Sequence, residues 1–141
     1  VIAIAAGACA ELRLGRNAMA ALITRGLHEI TRLALKMGAK PGTMSGLSGV
    51  GDLLLSCTDP MSRNYRLGQL LAEGYELQHA LAMIGTVVEG AKTAHAVMRL
   101  AQKYDVDMPL SSAVYHVLEG RLKPQAAITS LLERVLKEEM N

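Results

Sequence analysis

Apolar positions along this chain of 141 residues recur mostly at steps of three and four. Leu22, Ile23, Leu27, Ile30, Leu33, Ala34 and Met37 make one face of an amphipathic helix. Asn17 suits its N-cap, and Gly38 and Pro41 suit its end. Arg25 and Glu29 sit i,i+4 on another face. Gly26 in mid-helix costs about 1 kcal/mol relative to Ala, which the close approach of a neighbouring helix would explain. Ser62-Arg63-Asn64 opens a second helix that runs to about Glu73 and stops at Gly74. A short helix follows over Glu76–Met83. Another covers Glu89–Tyr104, with Ala94, Val97, Met98 and Ala101 on one face. Pro109 suits a first helical position, Val114, Val117 and Leu118 lie on one side of that helix, and Gly120 ends it. Pro124 starts the last helix, with Ala127, Ile128, Leu131, Leu132 and Val135 inward.

The opening segment Val1–Ala6 is ambiguous. Ile2 and Ile4 alternate as in a strand, and Gly7 follows. A nucleotide-binding turn would need G-x-G-x-x-G, but the next glycine is Gly15. The segment is therefore read as helical, or as the lead-in to a helix. The pattern predicts one all-α domain over residues 1–141, of six or seven helices, with no repeat and no long linker.

Composition supports that reading. The chain holds 22 Leu and 20 Ala, both strong helix formers. Phe and Trp are absent, so the core is aliphatic and the eight Met serve as gap-fillers. Without stacking aromatics the chain is no single-strand nucleic-acid binder. A net charge of +2 leaves no electrostatic footprint for DNA or anionic lipid. No uncharged apolar run approaches the ~20 residues of a membrane helix. Two cysteines, Cys9 and Cys57, fit a reducing cytoplasm. The start has no basic region, is not a signal peptide, and reads like the interior of a longer chain.

Candidate chemistry concentrates in Gly46–Asn64. His28, His79, His95 and His116 lack metal-ligand spacing, so no metal is expected and surface or capping roles suit them. Four glycines lie between Pro41 and Asp52, implying tight backbone contact or unusual dihedrals. Asp52 precedes Leu53-Leu54-Leu55, which suggests a partly buried carboxylate in need of a partner. A helix-capping aspartate is the plainer alternative. Ser62, Arg63 and Asn64 open a helix, where free N–H groups and the dipole favour anions. Arg63 adds a forked donor suited to phosphate. A solvated arginine behind a capping serine is the alternative there.

With these residues in place the chain resembles the C-terminal domain of bacterial NAD(P)-dependent glycerol-3-phosphate dehydrogenase. The likeness rests on Val1-Ile-Ala-Ile-Ala-Ala-Gly7, Asn17 to Gly26, Gly49-Val-Gly-Asp-Leu53, Cys57-Thr58, Ser62-Arg-Asn64 and Val87-Val-Glu-Gly90. It implies a helical domain of the 6-phosphogluconate dehydrogenase C-terminal type, behind a Rossmann domain not contained in these 141 residues. It implies hydride transfer with NAD or NADP between dihydroxyacetone phosphate and sn-glycerol 3-phosphate, a precursor of glycerophospholipids. By the resemblance Asp52 is the active-site aspartate, and Ser62, Arg63 and Asn64 hold the phosphorylated substrate together with it. Arg63, Val87 and Glu89 contact the nicotinamide cofactor. Ser56 stands where relatives often carry Thr.

The family's general acid/base is a lysine in a Lys-Asn pair just before the segment matching Val1, so the 141 residues alone are expected to be inactive. A cytoplasmic homodimer is implied too. The chain departs from the family at Glu11 and Arg13, where relatives tend to carry glycine. The rival readings are another two-domain dehydrogenase, such as the 6-phosphogluconate or hydroxyacyl-CoA type, and a non-catalytic helical module for dimerisation or protein binding.

Overall fold

The computed structural model describes residues 1–40, 42 and 50–140, with side chains described as far as Arg134. Among the described residues there are eight helices and no strand: α1 (Ile2–Glu11), α2 (Arg16–Lys36), α3 (Asp52–Thr58), α4 (Arg63–Glu73), α5 (Leu77–Ile84), α6 (Glu89–Lys103), α7 (Pro109–Leu118) and α8 (Pro124–Met140). The all-helical expectation is met. The added element is α3, seven residues whose three leucines carry no amphipathic period to announce it. Gly74 adopts the left-handed conformation at the end of α4, and Pro109 takes the first position of α7, both as the sequence indicates. The core position Val135 and most of the glycine-rich stretch, including Gly46 and Gly49, lie outside the described residues and side chains.

The ambiguous opening segment is the central helix. Ile2 through Cys9 are buried all along α1, so no polar face exists to give a period. Its mostly small side chains let other helices come close. A Cβ at Gly7 would collide with the carbonyl oxygen of Tyr65 on α4, and one at Gly68 with the carbonyl oxygen of Ile4 on α1. The two helices therefore cross at backbone contact, each lacking the one atom that would separate them. The close approach expected at Gly26 is also present, since a Cβ there would lie 2.6 Å from Cδ1 of Ile2. Around α1 gather Leu22 of α2, Leu67 and Leu71 of α4, Leu110, Val114 and Leu118 of α7, and Ile128 of α8. Each such aliphatic side chain contributes about 1.5–3 kcal/mol on full burial.

Three expectations need correction. Asn17 is not an N-cap: Gly15, with φ of 94°, turns the chain into α2, which begins at Arg16. The methionines are not all core gap-fillers: Met108 is buried, but Met37, Met61 and Met83 are exposed. Glu29, read as lying on a face other than the apolar one, is nonetheless inside the core. It is fully buried, because α7 arrives from 81 residues downstream to cover it. At Arg13, where relatives tend to have glycine, φ is 56°, a conformation that disfavours any side chain.

Candidate functional site

A cleft of about 550 Å³ opens between the start of α1, α3, α4, α6 and the junction of α2 with α7. Asp52 and Ser56 reach it from α3, Asn64 from α4 and Thr93 from α6. Val1, Ile2 and Ala3 line it at the start of α1. Ile30, Leu33 and Met108 supply apolar surface, and Ser111 lies among them. Two residues singled out in the sequence, Asp52 and Asn64, thus share one cavity although they stand twelve positions apart in the chain.

Asp52 opens α3 at its first helical position, with Gly51 as N-cap. Its carboxylate suits the positive end of that helix. Contrary to expectation it is exposed. The Leu53–Leu55 run does not bury it, since Leu54 and Leu55 themselves face outward. On the same helix Cys57 points into the core, where burial pushes its thiol up to about 11 and keeps it protonated. Cys57 is not among the residues that line the cleft.

Ser62, Arg63 and Asn64 form the entrance of α4. Ser62 is its N-cap, in extended conformation, but makes no side-chain capping bond. The first-turn N–H groups therefore have no internal oxygen from that side chain. Arg63 is exposed beside them and is not among the residues lining the cleft. Asn64 is half-buried, and its Oδ1 accepts the N–H of Gly90 at 2.9 Å. That bond satisfies a free donor in the first turn of α6 and leaves the Asn64 amide NH₂ as the donating end of the side chain. A Cβ at Gly90 would lie 2.5 Å from Asn64 Oδ1, which is why glycine stands there.

The same contact brings Val87-Val88-Glu89 beside Asn64. Val88 is buried and anchors the segment, while Val87 and Glu89 are exposed on either side of it. The alternation is that of an extended stretch entering a helix. Thr93, one turn on, donates its hydroxyl to the carbonyl of Glu89 at 2.8 Å. Residue reading missed Thr93 and Ser111 as lining groups, because nothing local marks which helix face meets a distant helix.

Among the described residues no cluster of three or more His, Cys, Asp or Glu could hold a metal ion. None of the described helices is long and apolar enough to cross a membrane. His95 meets Glu119 at 3.0 Å on the surface, in keeping with the roles expected for the histidines.

Known proteins with this sequence pattern agree with one another. Residues 1–129 match the family described as NAD-dependent glycerol-3-phosphate dehydrogenase C-terminus. The chain is 50% identical over 141 residues to glycerol-3-phosphate dehydrogenase [NAD(P)+] of Lysinibacillus sphaericus, covering all of this chain and 42% of that protein. It is 51% identical over 140 residues to the Bacillus subtilis enzyme of the same name, covering 99% of this chain and 41% of that protein. The crystal structure of glycerol-3-phosphate dehydrogenase from Coxiella burnetii superimposes with a TM-score of 0.91 at 48% identity, over 94% of this chain and 41% of that one. The chain thus spans about two fifths of the length of these relatives. With its sequence and its fold both matched over nearly their whole extent, the chain belongs to the C-terminal family of NAD-dependent glycerol-3-phosphate dehydrogenases.

Proposed function

We propose that these residues form the substrate-binding part of an enzyme that interconverts dihydroxyacetone phosphate and sn-glycerol 3-phosphate with NAD or NADP. The observation that carries this reading is the meeting of Asp52 and Asn64 in one cleft, beside a helix entrance that its own N-cap side chain leaves open. The substrate's phosphate takes the α4 N-terminus, with Ser62, Arg63 and Asn64 around it. Binding at the phosphate end orients the small reactive end. Asp52, exposed and ionisable on the adjoining helix, holds and electrostatically supports the proton-transferring lysine that the family resemblance implies. Val1, Ile2 and Ala3 line the cleft, so a residue immediately before Val1 would be delivered to it.

The cofactor, when bound, accepts or donates the hydride. Val87 and Glu89 fit a nicotinamide: one offers exposed apolar surface and the other a carboxylate acceptor for an amide N–H, and both are tied to Asn64 through Gly90. Arg63 would reach the cofactor as well as the phosphate. A homodimer rests on the resemblance alone, and light scattering of the full-length protein tests it. A cytoplasmic setting rests on Cys9 and Cys57, both free and buried.

The test is steady-state kinetics of the full-length protein that carries this chain. Asp52→Asn is expected to lower turnover by at least tenfold, with a smaller effect on phosphate affinity. Turnover near wild type would remove Asp52 from the chemistry. The 141 residues alone are expected to oxidise no cofactor, and measurable oxidation by the pure chain would overturn the assignment of the lysine and cofactor domain to other residues.

A further inference from the structure

We propose that Glu29 is a positioning residue for the cleft, acting through the first turn of α7. The inference rests on the functional reading above. Glu29 is fully buried and is not among the residues that line the cleft. Its two carboxylate oxygens are both engaged: Oε2 accepts the N–H of Leu110 at 2.7 Å, and Oε1 accepts the N–H of Ser111 at 3.0 Å. Arg25 lies 3.8 Å away on the same helix face. A carboxylate on the first-turn N–H groups of a helix is favoured by hydrogen bonding and by the dipole together.

The bonds join two of the helices that give the cleft its apolar surface. Ile30 and Leu33 come from α2, immediately after Glu29 in the chain, and Met108 and Ser111 come from the start of α7. The carboxylate thus fixes the distance and register between these two parts of the wall. Apolar packing alone tolerates sliding, whereas two directional bonds from one side chain do not. A wall displaced by about an ångström no longer fits a small substrate against Asp52 and Asn64, so the loss falls on substrate binding.

The experiment uses the full-length protein that carries this chain, with Glu29→Gln as first variant and Ser111→Ala as second. Glu29→Gln keeps the shape and one acceptor, but turns an NH₂ toward an N–H. A positioning role predicts that it raises KM for glycerol 3-phosphate about tenfold, leaves KM for the nicotinamide cofactor unchanged, and retains the native circular dichroism at the assay temperature. Ser111→Ala, which keeps the backbone N–H, is expected to raise the same KM less than threefold. A residue that only stabilises the fold would lower apparent kcat through loss of folded protein and leave both KM values where they were; that result overturns the proposal. If Glu29→Gln does not fold, Glu29→Asp decides, and an unchanged substrate KM in that variant overturns it too. Absence of glycerol-3-phosphate-dependent turnover in the wild type would sink the functional reading and this inference with it. Wild-type turnover with variants that leave substrate KM unchanged sinks only the inference.

Discussion

Two helix entrances stand near the same cleft and are treated in opposite ways. At α7 a buried carboxylate, Glu29, takes the N–H groups of Leu110 and Ser111. At α4 the N-cap Ser62 makes no side-chain bond, and an exposed arginine stands beside it. The backbone offers the same chemistry at both, free donors at the positive end of a helix dipole. The difference lies in where the anion comes from. At α7 it is built into the chain and shut away from water, so the entrance holds helices together. At α4 no side chain of the N-cap supplies it, and the proposed function assigns that place to the substrate's phosphate.

The largest test of this contrast removes the internal anion. Glu29→Leu strands two buried N–H donors, and is expected to cost about 3–5 kcal/mol in urea unfolding. A loss below about 1 kcal/mol would mean that α7 needs no anion. The counterpart at α4 is Arg63→Ala, which should leave unfolding unchanged. It is expected to weaken binding of glycerol 3-phosphate by about 1.5–3 kcal/mol in the full-length protein. Equal affinity in wild type and variant would take Arg63 out of the phosphate site.

Acidity gives a third test. Burial raises the carboxyl of Glu29 above its ordinary 4.5, and its hydrogen bonds and Arg25 only partly offset that. A raised folded-state value means the native protein holds the proton more tightly than the unfolded chain. Its contribution to stability is full below 4.5 and declines as pH rises through the folded-state value. The stability of wild type minus that of Glu29→Gln is therefore expected to shrink from acid to neutral pH. Growth of that difference over the same range would show the hydrogen bonds overriding burial. The smallest effect is expected at Ser62→Ala. An ordinary serine cap is worth about 1 kcal/mol, but this one makes no capping bond. A change within about 0.5 kcal/mol fits an open entrance, and a full cap's loss would show Ser62 closing it in solution.

Much of the fold was legible because its signals are local. Glycines and prolines at helix ends act within a turn, so Gly74, Pro109 and Pro124 marked boundaries correctly. The central helix was harder. Buried on every side, α1 has neither a polar face nor a helical period, and its two isoleucines imitate a strand. Glu29 was illegible for a related reason. Its spacing from Arg25 describes a surface pair, and only the arrival of α7 turns that pair inward. Asp52 failed in the opposite sense, since its leucine neighbours are themselves partly outside. The motif residues came from resemblance, and of those given a substrate or cofactor role the cleft is lined by Asp52 and Asn64, with Val1, Ile2, Ala3, Leu53 and Ser56 beside them.

The bond from Gly90 to Asn64 carries a further consequence. It spans 26 residues of sequence and leaves no room for a methyl group at its donor end. The segment proposed to meet the nicotinamide and the segment proposed to meet the phosphate therefore share one fastening and do not shift independently. A lesion at Gly90 would be read in kinetics as a defect at Asn64. Enlarging residue 90 to retune cofactor choice would move the phosphate site at the same time, so the two specificities can be altered separately only by changes that leave this fastening intact.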